Sequence, residues 1–444
     1  MNLRLIGLTI LIPLVGMTSS IVYSEDWPQW RGENRDAVWD ETGIVTEIPE
    51  SGLTVNWRTP IAGGYAGPAV VGDRVYVTDF IRESGDPTNG PGTVNELAGQ
   101  ERVLCLDASN GEIIWTNTRE CKYQISYPCG PRATPTVVGD RVITLGAEGT
   151  LLCLNRHAGE VLWEKNFPKD YQAKTPIWGF SSHPLVEGNT VYCVVGGPGS
   201  IAVAFDLETG EEKWRALTAS EQGYCPPTLI EAGGRKQLLI WDADNLNGLD
   251  PETGEVFWSV ALKPNYGMSI MTPQVSGDLL FASGIGDVGV LLKLNEEAPT
   301  VTELWRGHPR NSVYCANSTP FIDGQTLYGV DCKTGGLRGI DLESGERLWE
   351  TFEPTTGSRR MGHGTAFLIK NGSRYFLFGE TGDLILANLS REGYEEIGRF
   401  HALEPTGEAF GRNVVWTHPA FADGQCYVRN DEEIISISLR ADEQ

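Results

Sequence analysis

Aromatic side chains recur along this chain, each shortly before an apolar segment that opens a predicted strand. They are Tyr65, Tyr127, Trp178, Tyr224, Tyr266, Tyr314 and Trp416. An eighth equivalent position has Arg359, Arg360 and His363 instead. If the segments are arranged about one axis, these side chains ring the mouth of a central channel and could hold a flat ligand, a sugar or a peptide. The alternative is that the rings pack over the channel and only seal it.

Histidines fall close to the same positions. His183 and His418 precede a proline at equivalent places, and His363 lies two residues before the equivalent Thr365. Imidazoles that converge on one axis could bind a metal ion or exchange protons. They could equally replace the threonine found at this position in other repeats, and no metal site is predicted. Three polar residues near the same positions complete the candidate ligand-binding set: Arg132, Asn317 and Arg412.

The chain has nine cysteines. Cys121 and Cys129 lie in one long connection and could form a disulfide there in an oxidising compartment. Four others fall inside predicted strands, where cysteine usually behaves as a small buried apolar residue. No C-x-x-C motif and no adjacent cysteine pair occurs. Thiol redox chemistry and covalent haem attachment therefore have no motif support.

A recurrent phrase shows which elements must position these residues. An acidic or amide residue, then Gly-Glu, then Trp ends at Trp115, Trp163, Trp214, Trp258 and Trp349, with degenerate copies that end at Trp305 and Phe400. The copies are 48, 51, 44, 47, 44 and 51 residues apart, a period typical of β-propeller blades. Each repeat divides into four strands. The tryptophan of the fourth strand is predicted to dock between neighbouring blades and to donate its N–H to a backbone acceptor.

The predicted fold class is all-β, an eight-bladed β-propeller of four-stranded antiparallel blades. After Phe400 the chain supplies only three further strands, whereas an unpaired strand that carries Trp57 precedes the first full repeat. We expect this N-terminal strand to complete the last blade and close the ring, because closure removes exposed sheet edges. Seven blades is the alternative if the copy around Phe400 is not a blade.

Residues 1–24 have the pattern of a secretory signal peptide. Arg4 precedes an apolar run over Leu5–Val15 that is too short for a good transmembrane helix, and small residues place the cut after Ser24. The mature protein is expected to be secreted or periplasmic, soluble and without a lipid anchor, since no cysteine precedes Cys105.

A tryptophan-rich leader, residues 25–52, precedes the propeller of residues 53–444. Its Trp27, Trp30 and Trp39 are predicted to pack on the propeller, because exposure of three indoles would be unfavourable. The chain has 59 acidic and 35 basic residues and a net charge of −24. This balance argues against nucleic acid as a partner.

Loop length identifies the functional face. In a four-stranded blade, the inter-blade connection and the turn between the second and third strands share one face, and the Thr-Gly-Glu turns lie on the other. The long segments belong to the first face: Phe80–Glu101, Tyr123–Arg132 and Lys169–His183. Elaborated loops on a rigid scaffold usually carry function, so this face is predicted to bind the ligand.

The repeat "DLETGEEKW" and its preceding strands resemble the PQQ-like repeat of quinoprotein alcohol dehydrogenase-like propellers over residues 57–444. The segment "DWPQWRGENRD" resembles the leader of secreted PQQ-like propellers. The resemblance covers two kinds of protein. One is the PQQ-dependent dehydrogenases, which carry PQQ and a calcium ion on the axis. The other is the cofactor-free propellers similar to the outer-membrane assembly factor BamB, which bind proteins.

The resemblance implies a monomeric, non-catalytic binding or scaffold propeller, similar to BamB and without a cofactor. It would engage a protein, an envelope polysaccharide or a small ligand through its aromatic face. A PQQ- and calcium-dependent alcohol or sugar dehydrogenase is the alternative, but the adjacent cysteine pair of that group is absent and no calcium ligand set can be assigned. A second alternative is a polysaccharide hydrolase or lyase centred on His363 and Arg360.

Overall fold

Alternating apolar residues and tight turns fold the chain into eight antiparallel sheets of four strands each. The structure is a computed structural model that describes residues 25–88, 90–357 and 359–444. The eight sheets are the blades of a β-propeller, and the prediction of the fold class is confirmed. The copy that ends at Phe400 belongs to a full blade, so the seven-bladed alternative is wrong. The signal peptide predicted at residues 1–24 lies outside the described residues.

The first strands of several neighbouring blades contact each other, which places these strands around the central channel. Blade 1 comprises Ala69–Val71, Arg74–Gly85, Leu97–Asp107 and Ile113–Tyr123. Blade 2 comprises Thr136–Val138, Arg141–Leu145, Thr150–Asn155 and Val161–Asn166. Blade 3 comprises Leu185–Glu187, Thr190–Val194, Ala202–Asp206 and Glu212–Ala216. Blade 4 comprises Thr228–Ala232, Arg235–Trp241, Asn245–Leu249 and Val256–Ala261.

The second half of the ring repeats this order. Blade 5 comprises Gln274–Ser276, Leu279–Gly284, Val288–Leu294 and Val301–Arg306. Blade 6 comprises Phe321–Asp323, Thr326–Val330, Leu337–Asp341 and Arg347–Thr351. Blade 7 comprises Ala366–Asn371, Arg374–Gly379, Asp383–Leu389 and Tyr394–His401. Blade 8 comprises Ala420–Ala422, Gln425–Arg429, Glu433–Ser438 and Val55–Pro60.

In the described residues, helical structure is confined to three short segments outside the blades. They are the α-helix Phe167–Tyr171 and the 3₁₀ turns Asn265–Gly267 and Ala441–Glu443. An additional hairpin, Gly407–Ala409 with Arg412–Val414, lies between blades 7 and 8. No helix in the described part of the chain has the length and apolar character needed to span a membrane.

The N-terminal strand closes the ring, as predicted. Val55–Pro60 pairs antiparallel with Glu433–Ser438, and Trp57 lies opposite Ser436. The outer strand of blade 8 therefore comes from the start of the propeller sequence and its three inner strands from the end. Closure pairs a strand edge that would otherwise be open to other chains.

Blade 1 differs from the prediction of a loop over Phe80–Glu101. The two ends of this segment continue the second and third strands, and the described residues between them, 86–88 and 90–96, form the loop. Phe80 stacks on Tyr123 at a centroid distance of 4.1 Å, and Leu97 is buried beside them. This small apolar cluster stabilises the longer strands.

Tryptophan side chains form hydrogen bonds between neighbouring blades. In six cases the indole N–H donates to a backbone carbonyl one or two residues after the third strand of the neighbouring blade, at 2.8–3.2 Å. The pairs are Trp57–Ala108, Trp115–Arg156, Trp163–Leu207, Trp214–Pro251, Trp305–Leu342 and Trp349–Ser390. A buried indole N–H without an acceptor would destabilise the fold. The recurrent phrase of one blade supplies the indole, and the phrase of the next blade supplies the carbonyl that accepts its hydrogen bond.

Trp258 of blade 4 departs from this pattern. Its indole N–H donates to Oε1 of Gln237 within its own blade, at 2.7 Å. The neighbouring blade 5 carries the degenerate copy of the phrase, in which Asn295 is followed by Glu-Glu-Ala-Pro and not by a Thr-Gly-Glu turn.

The glycine of the recurrent phrase has two functions. Gly210 has a φ of +72°, a conformation that favours glycine, and its Cα lies against the Trp163 ring of the preceding blade. A Cβ at this position would lie 2.7 Å from Cδ2 of Trp163. Gly188, in a hairpin of the same blade, also has a positive φ, +56°, but a Cβ there would have no heavy atom within 4 Å.

The leader crosses the channel and begins its contacts at blades 1 and 2. Trp27 exchanges two backbone hydrogen bonds with Val70 of blade 1, each 2.8 Å long, and the N–H of Val137 in blade 2 donates to the carbonyl of Pro28. Arg35 donates to the carbonyls of His183 and Pro184 before blade 3, at 3.2 and 3.0 Å.

The leader then reaches the remaining side of the ring. Arg31 donates to Oε1 of Gln274 in blade 5. The backbone N–H of Trp39 donates to the Lys370 carbonyl of blade 7. The Glu41 carboxylate accepts from the backbone N–H of Gly424 in blade 8. Its three tryptophans, Trp27, Trp30 and Trp39, are buried. The leader therefore bonds to six blades across the axis.

The two glycines of blade 3 give a matched test of the tryptophan contact. We expect Gly188→Ala to lower the free energy of unfolding by about 1–2 kcal/mol, since only the left-handed backbone penalises alanine there. We expect Gly210→Ala to lower it by about 1–3 kcal/mol more, because the new methyl group also overpacks the Trp163 ring. Denaturant titration of the mature protein and both variants measures the difference. Equal destabilisation by the two substitutions would show that the ring contact contributes nothing.

Candidate functional site

The eight inter-blade connections meet at one end of the channel and enclose a cavity of about 660 Å³. Each connection contributes at least one predicted residue, and eleven of the fourteen predicted residues line the cavity. They are Tyr65, Tyr127, Arg132, Trp178, His183, Tyr224, Tyr266, Asn317, His363, Trp416 and His418. The cavity opens on the face that carries the long loops, since Pro91 and Gly92 of the blade 1 insertion also line it.

The cavity has an exposed rim and a buried floor. Tyr266 at the rim is 75% exposed, and Phe410, at the tip of the additional hairpin, is 45% exposed. Trp30 of the leader and His183 are 3% and 7% exposed and form the floor. A ligand would therefore enter between aromatic rings and end against an indole and an imidazole.

Two of the predicted residues, Tyr314 and Arg360, do not line the cavity. The Tyr314 hydroxyl donates to the His308 carbonyl at 2.8 Å, and its ring packs against Gly307. Gly289 also lies against this ring. The ring is buried because the two glycines leave room for it. Arg360 is exposed on the connection before blade 7, outside the cavity wall.

Arg412, the third such residue, supports the cavity from behind. Its Nε and Nη2 donate to the two carboxylate oxygens of Glu380 at 2.8 and 3.1 Å. The Trp416 indole N–H donates to the same carboxylate at 3.1 Å. Glu380 is buried, so its charge is compensated by Arg412, and the pair fixes the orientation of the Trp416 ring.

Arg132 lines the cavity, but its donors are already engaged. Its Nε donates to the Trp178 carbonyl at 2.7 Å, and its Nη2 donates to the carbonyls of Ser126 and Tyr127 at 3.0 and 2.6 Å. Its Nη1 donates to the Gly130 carbonyl. The guanidinium also lies 5.2 Å from the centre of a neighbouring aromatic ring, that of Tyr65. Arg132 therefore holds two connections together and has few donors left for a ligand.

The aromatic walls form two groups. Tyr127, Phe410 and Trp416 contact one another with centroid distances of 6.1–6.4 Å. On another part of the wall, Trp178 and Tyr224 make an edge contact at 5.8 Å. The hydroxyls of Tyr127 and Tyr224 are buried and have no hydrogen-bond partner. These rings offer apolar faces together with unused donors.

The floor histidines are neutral. Burial, with the nearby His418 and Arg35, holds the pKa of His183 well below its ordinary value. Burial and Arg31 lower the pKa of His418 to about 3. The Trp30 indole stacks on His183 at 4.7 Å and meets His418 edge-on at 5.6 Å. Neutral imidazoles can donate and accept hydrogen bonds but bring no charge of their own.

His183 also has the structural role that the sequence left open. Its Nδ1 accepts from the Thr134 backbone N–H at 2.8 Å. In blades 5 and 6, the Thr319 hydroxyl accepts in the same way from the Thr272 N–H, at 3.2 Å. The imidazole therefore replaces the threonine hydroxyl and still presents its other edge to the cavity.

His363 lines the opposite wall. It stacks on Phe410 with a centroid distance of 4.5 Å and an interplanar angle of 8°. Its ring nitrogens lie 3.5 and 3.7 Å from Sγ of Cys332. Burial and the Arg412 charge lower the pKa of His363, so this side chain also brings no charge to the wall.

Trp30, Phe410 and Glu380 are among the residues at the site that the sequence analysis does not identify. Trp30 was expected to pack on the propeller, without a place in the cavity. Phe410 belongs to a hairpin whose only sequence signal is the extra length between Phe400 and Trp416. Glu380 falls at the end of a second strand, where nothing in the sequence separates it from a surface carboxylate.

Cys121 and Cys129, the predicted disulfide pair, are free thiols in this structure. Cys121 lies on the long outer strand of blade 1, because that strand extends further than predicted. Cys129 packs against Gly63, near Asp431. The extended strand carries the two thiols into different surroundings.

The residues of the cavity do not match a calcium-bound PQQ. Calcium takes six to eight oxygen ligands, with carboxylates prominent among them. Among the described lining residues there is no Asp or Glu, and the lone lining guanidinium, that of Arg132, is engaged by carbonyls. Within the described ranges, no three His, Cys, Asp or Glu side chains are grouped so as to hold a metal ion.

Comparisons with known proteins agree with this architecture. The model of the PQQ-like family described as "Outer membrane protein assembly factor BamB" matches residues 99–351 and 242–440. No curated protein matches the sequence.

Several solved structures share the fold at low sequence identity. BamB from Moraxella catarrhalis has a TM-score of 0.57 and 14% identity, over 87% of this chain and 99% of that one. Quinohemoprotein alcohol dehydrogenase from Comamonas testosteroni has a TM-score of 0.58 and 13% identity, over 93% and 80%. The computationally designed Ika8 protein has a TM-score of 0.54 and 11% identity, over 87% and 100%.

The structural similarities establish the fold, and the family match extends over more than half of the sequence. The chain belongs to the PQQ-like β-propeller family whose model is described as outer membrane protein assembly factor BamB.

Proposed function

We propose that this protein is an exported, non-catalytic binding propeller that holds a protein segment or an envelope ligand in the aromatic cavity of its loop-rich face. The observation that carries the proposal is the cavity itself. It is deep enough for an anchoring group, its walls are aromatic, and exposed apolar side chains surround its mouth. Buried anchors in aromatic pockets usually dominate the affinity of a binding surface.

The rim supplies the contact area around such an anchor. Tyr266 and Phe410 have positive φ values of 61° and 50°, and both rings are exposed. Ile177 and Val94, each 38% exposed, extend the apolar surface on the same face. Large exposed apolar patches on a soluble protein commonly mark interaction surfaces or ligand-binding grooves.

The family supports a binding role. The matching model is described as an assembly factor, and a propeller of this kind would act by presenting loops to a partner. The dehydrogenase alternative has the same fold in its favour, since a quinohemoprotein alcohol dehydrogenase is among the similar structures. The lining residues favour binding, because they contain no oxygen ligand set for calcium.

Retention on native envelope material tests the proposal. We expect the mature protein to be retained, and we expect Tyr266→Ser/Phe410→Ser to weaken retention by about tenfold or more, since two rim anchors are lost. Ile113→Ser/Ile114→Ser is the matched control, because both isoleucines are similarly exposed, 45% and 42%, but lie on the outer strand of blade 1.

Protease treatment of the envelope material identifies the class of partner. Loss of retention after treatment indicates a protein, and unchanged retention indicates a polysaccharide or other ligand. The proposal fails if the rim variant is retained like the wild type, or if the control variant loses retention equally.

Calorimetric titration with PQQ, in the presence and absence of calcium, tests the enzyme alternative. We expect calcium to leave any PQQ binding unchanged and an alcohol-oxidation dye assay to show no turnover, because no carboxylate lines the cavity. Tight stoichiometric binding that requires calcium, together with turnover, would establish a dehydrogenase instead.

A further inference from the structure

Unused N–H donors lie at the cavity floor. The Trp30 indole N–H is buried and has no hydrogen-bond partner. His183 accepts the Thr134 N–H at Nδ1, which leaves its proton on Nε2. No hydrogen bond of that nitrogen is found in the described part of the chain. A buried donor without an acceptor is unfavourable, so the floor favours a ligand that brings an acceptor.

Two arginines lie behind the floor without an ion-pair partner. The guanidinium carbons of Arg31 and Arg35 each lie 5.6 Å from the centre of the Trp30 ring. Arg35 donates to the Gln29 side chain and to the carbonyls of His183 and Pro184. Neither arginine lies within ion-pair distance of a carboxylate in the described ranges, and each has one guanidinium nitrogen without an acceptor.

Both guanidinium groups are positive at neutral pH. Burial lowers the pKa of Arg31 to about 10 and that of Arg35 to about 9, with the two charges also opposing each other in Arg35. Two positive charges in a region shielded from water attract an anion in the cavity more strongly than two surface charges would.

Asp36 of the leader lies near Arg31 and offsets part of its charge. The other carboxylates near the cavity are exposed, lie in the wall or are already paired. Glu221 lies near Tyr224 and is exposed to solvent. Asp431 lies near Tyr65 in the wall. Glu380 is paired with Arg412. The floor is therefore a positive region within a protein whose net charge is −24.

From these contacts we propose that the cavity floor binds an anionic group, such as a carboxylate, carried on an apolar or flat body that the aromatic walls hold. The inference rests on the proposed binding function and specifies its ligand. The anion would accept from the Trp30 and His183 N–H groups, with Arg31 and Arg35 behind them. The group could belong to a free small molecule or to an acidic side chain of a partner.

Matched probes that differ only in charge test this preference. The probes are 2-naphthoate, the neutral 2-naphthamide and the cation 2-naphthylmethylammonium, measured by calorimetry with the mature protein. We expect naphthoate to bind about tenfold more tightly than naphthamide, as two charges behind the floor would produce, and the cation to bind least. Non-specific adsorption to this acidic protein would give the opposite order.

A peptide pair separates the two sources of the anion. Ac-Ala-Phe-Asp-Ala-NH₂ and its Asn counterpart repeat the comparison with a side-chain carboxylate. A preference for the anion in the peptide pair identifies a partner segment, and a preference confined to the naphthyl pair identifies a free ligand. Either result supports the proposal, and a preference in neither pair overturns it.

Substitutions of floor residues test whether these residues cause the preference for the anion. We expect Trp30→Phe, which keeps a ring but removes the N–H, and Arg35→Gln to lower the ratio of naphthoate to naphthamide affinity several-fold. Arg359→Gln is the control, since it removes an exposed charge outside the cavity. An equal fall in the control would overturn the proposal. If neither the naphthyl pair nor the peptide pair shows a preference for the anion although the probes still bind, the anion site is wrong while the aromatic binding site remains, so the two proposals can fail separately.

Discussion

The hydrogen bond from a tryptophan indole to the carbonyl of the next blade is the interaction on which the rest of this molecule depends. A four-stranded blade leaves apolar surface on both faces, so it is stable only against its neighbours. The indole covers part of that surface and fixes the angle between blades. Because Trp57, from the closing strand, makes the same bond to Ala108 as five internal tryptophans make to their neighbouring blades, the joint between the last and first blades is equivalent to those five.

That regular ring explains why the cavity has residues from every blade. Eight equivalent connections approach one axis, and each can contribute a side chain without a change in its own strands. The leader then closes the opposite end of the space. Arg31 and Arg35 can remain buried there because backbone carbonyls and amide side chains accept most of their hydrogen bonds, an arrangement that forms no ion pair within 4 Å. The same residues thus close the channel and set its electrostatic potential.

The fold could be predicted from the sequence because its determinants are local and repeated. The period of the tryptophan phrase gives the blade count, and the strand around Trp57 has no partner except the last blade. The site was predicted less completely. Repeat position places Tyr127 and Trp416 at the axis correctly, but it cannot tell that Tyr314 turns into a gap left by glycines, or that Arg412 is bound by Glu380. Such choices depend on side chains that are distant in sequence.

The path of the leader has a consequence for how the chain acquires its structure. Segments near the N-terminus bond to six blades, and the closing strand pairs with Glu433–Ser438 near the other end. These contacts join residues that are almost the full length of the chain apart, and such contacts slow folding because a long loop must close before they stabilise anything. Early blades can form while the chain emerges, but the ring, its channel closure and the cavity floor can be completed only after the last blade is available.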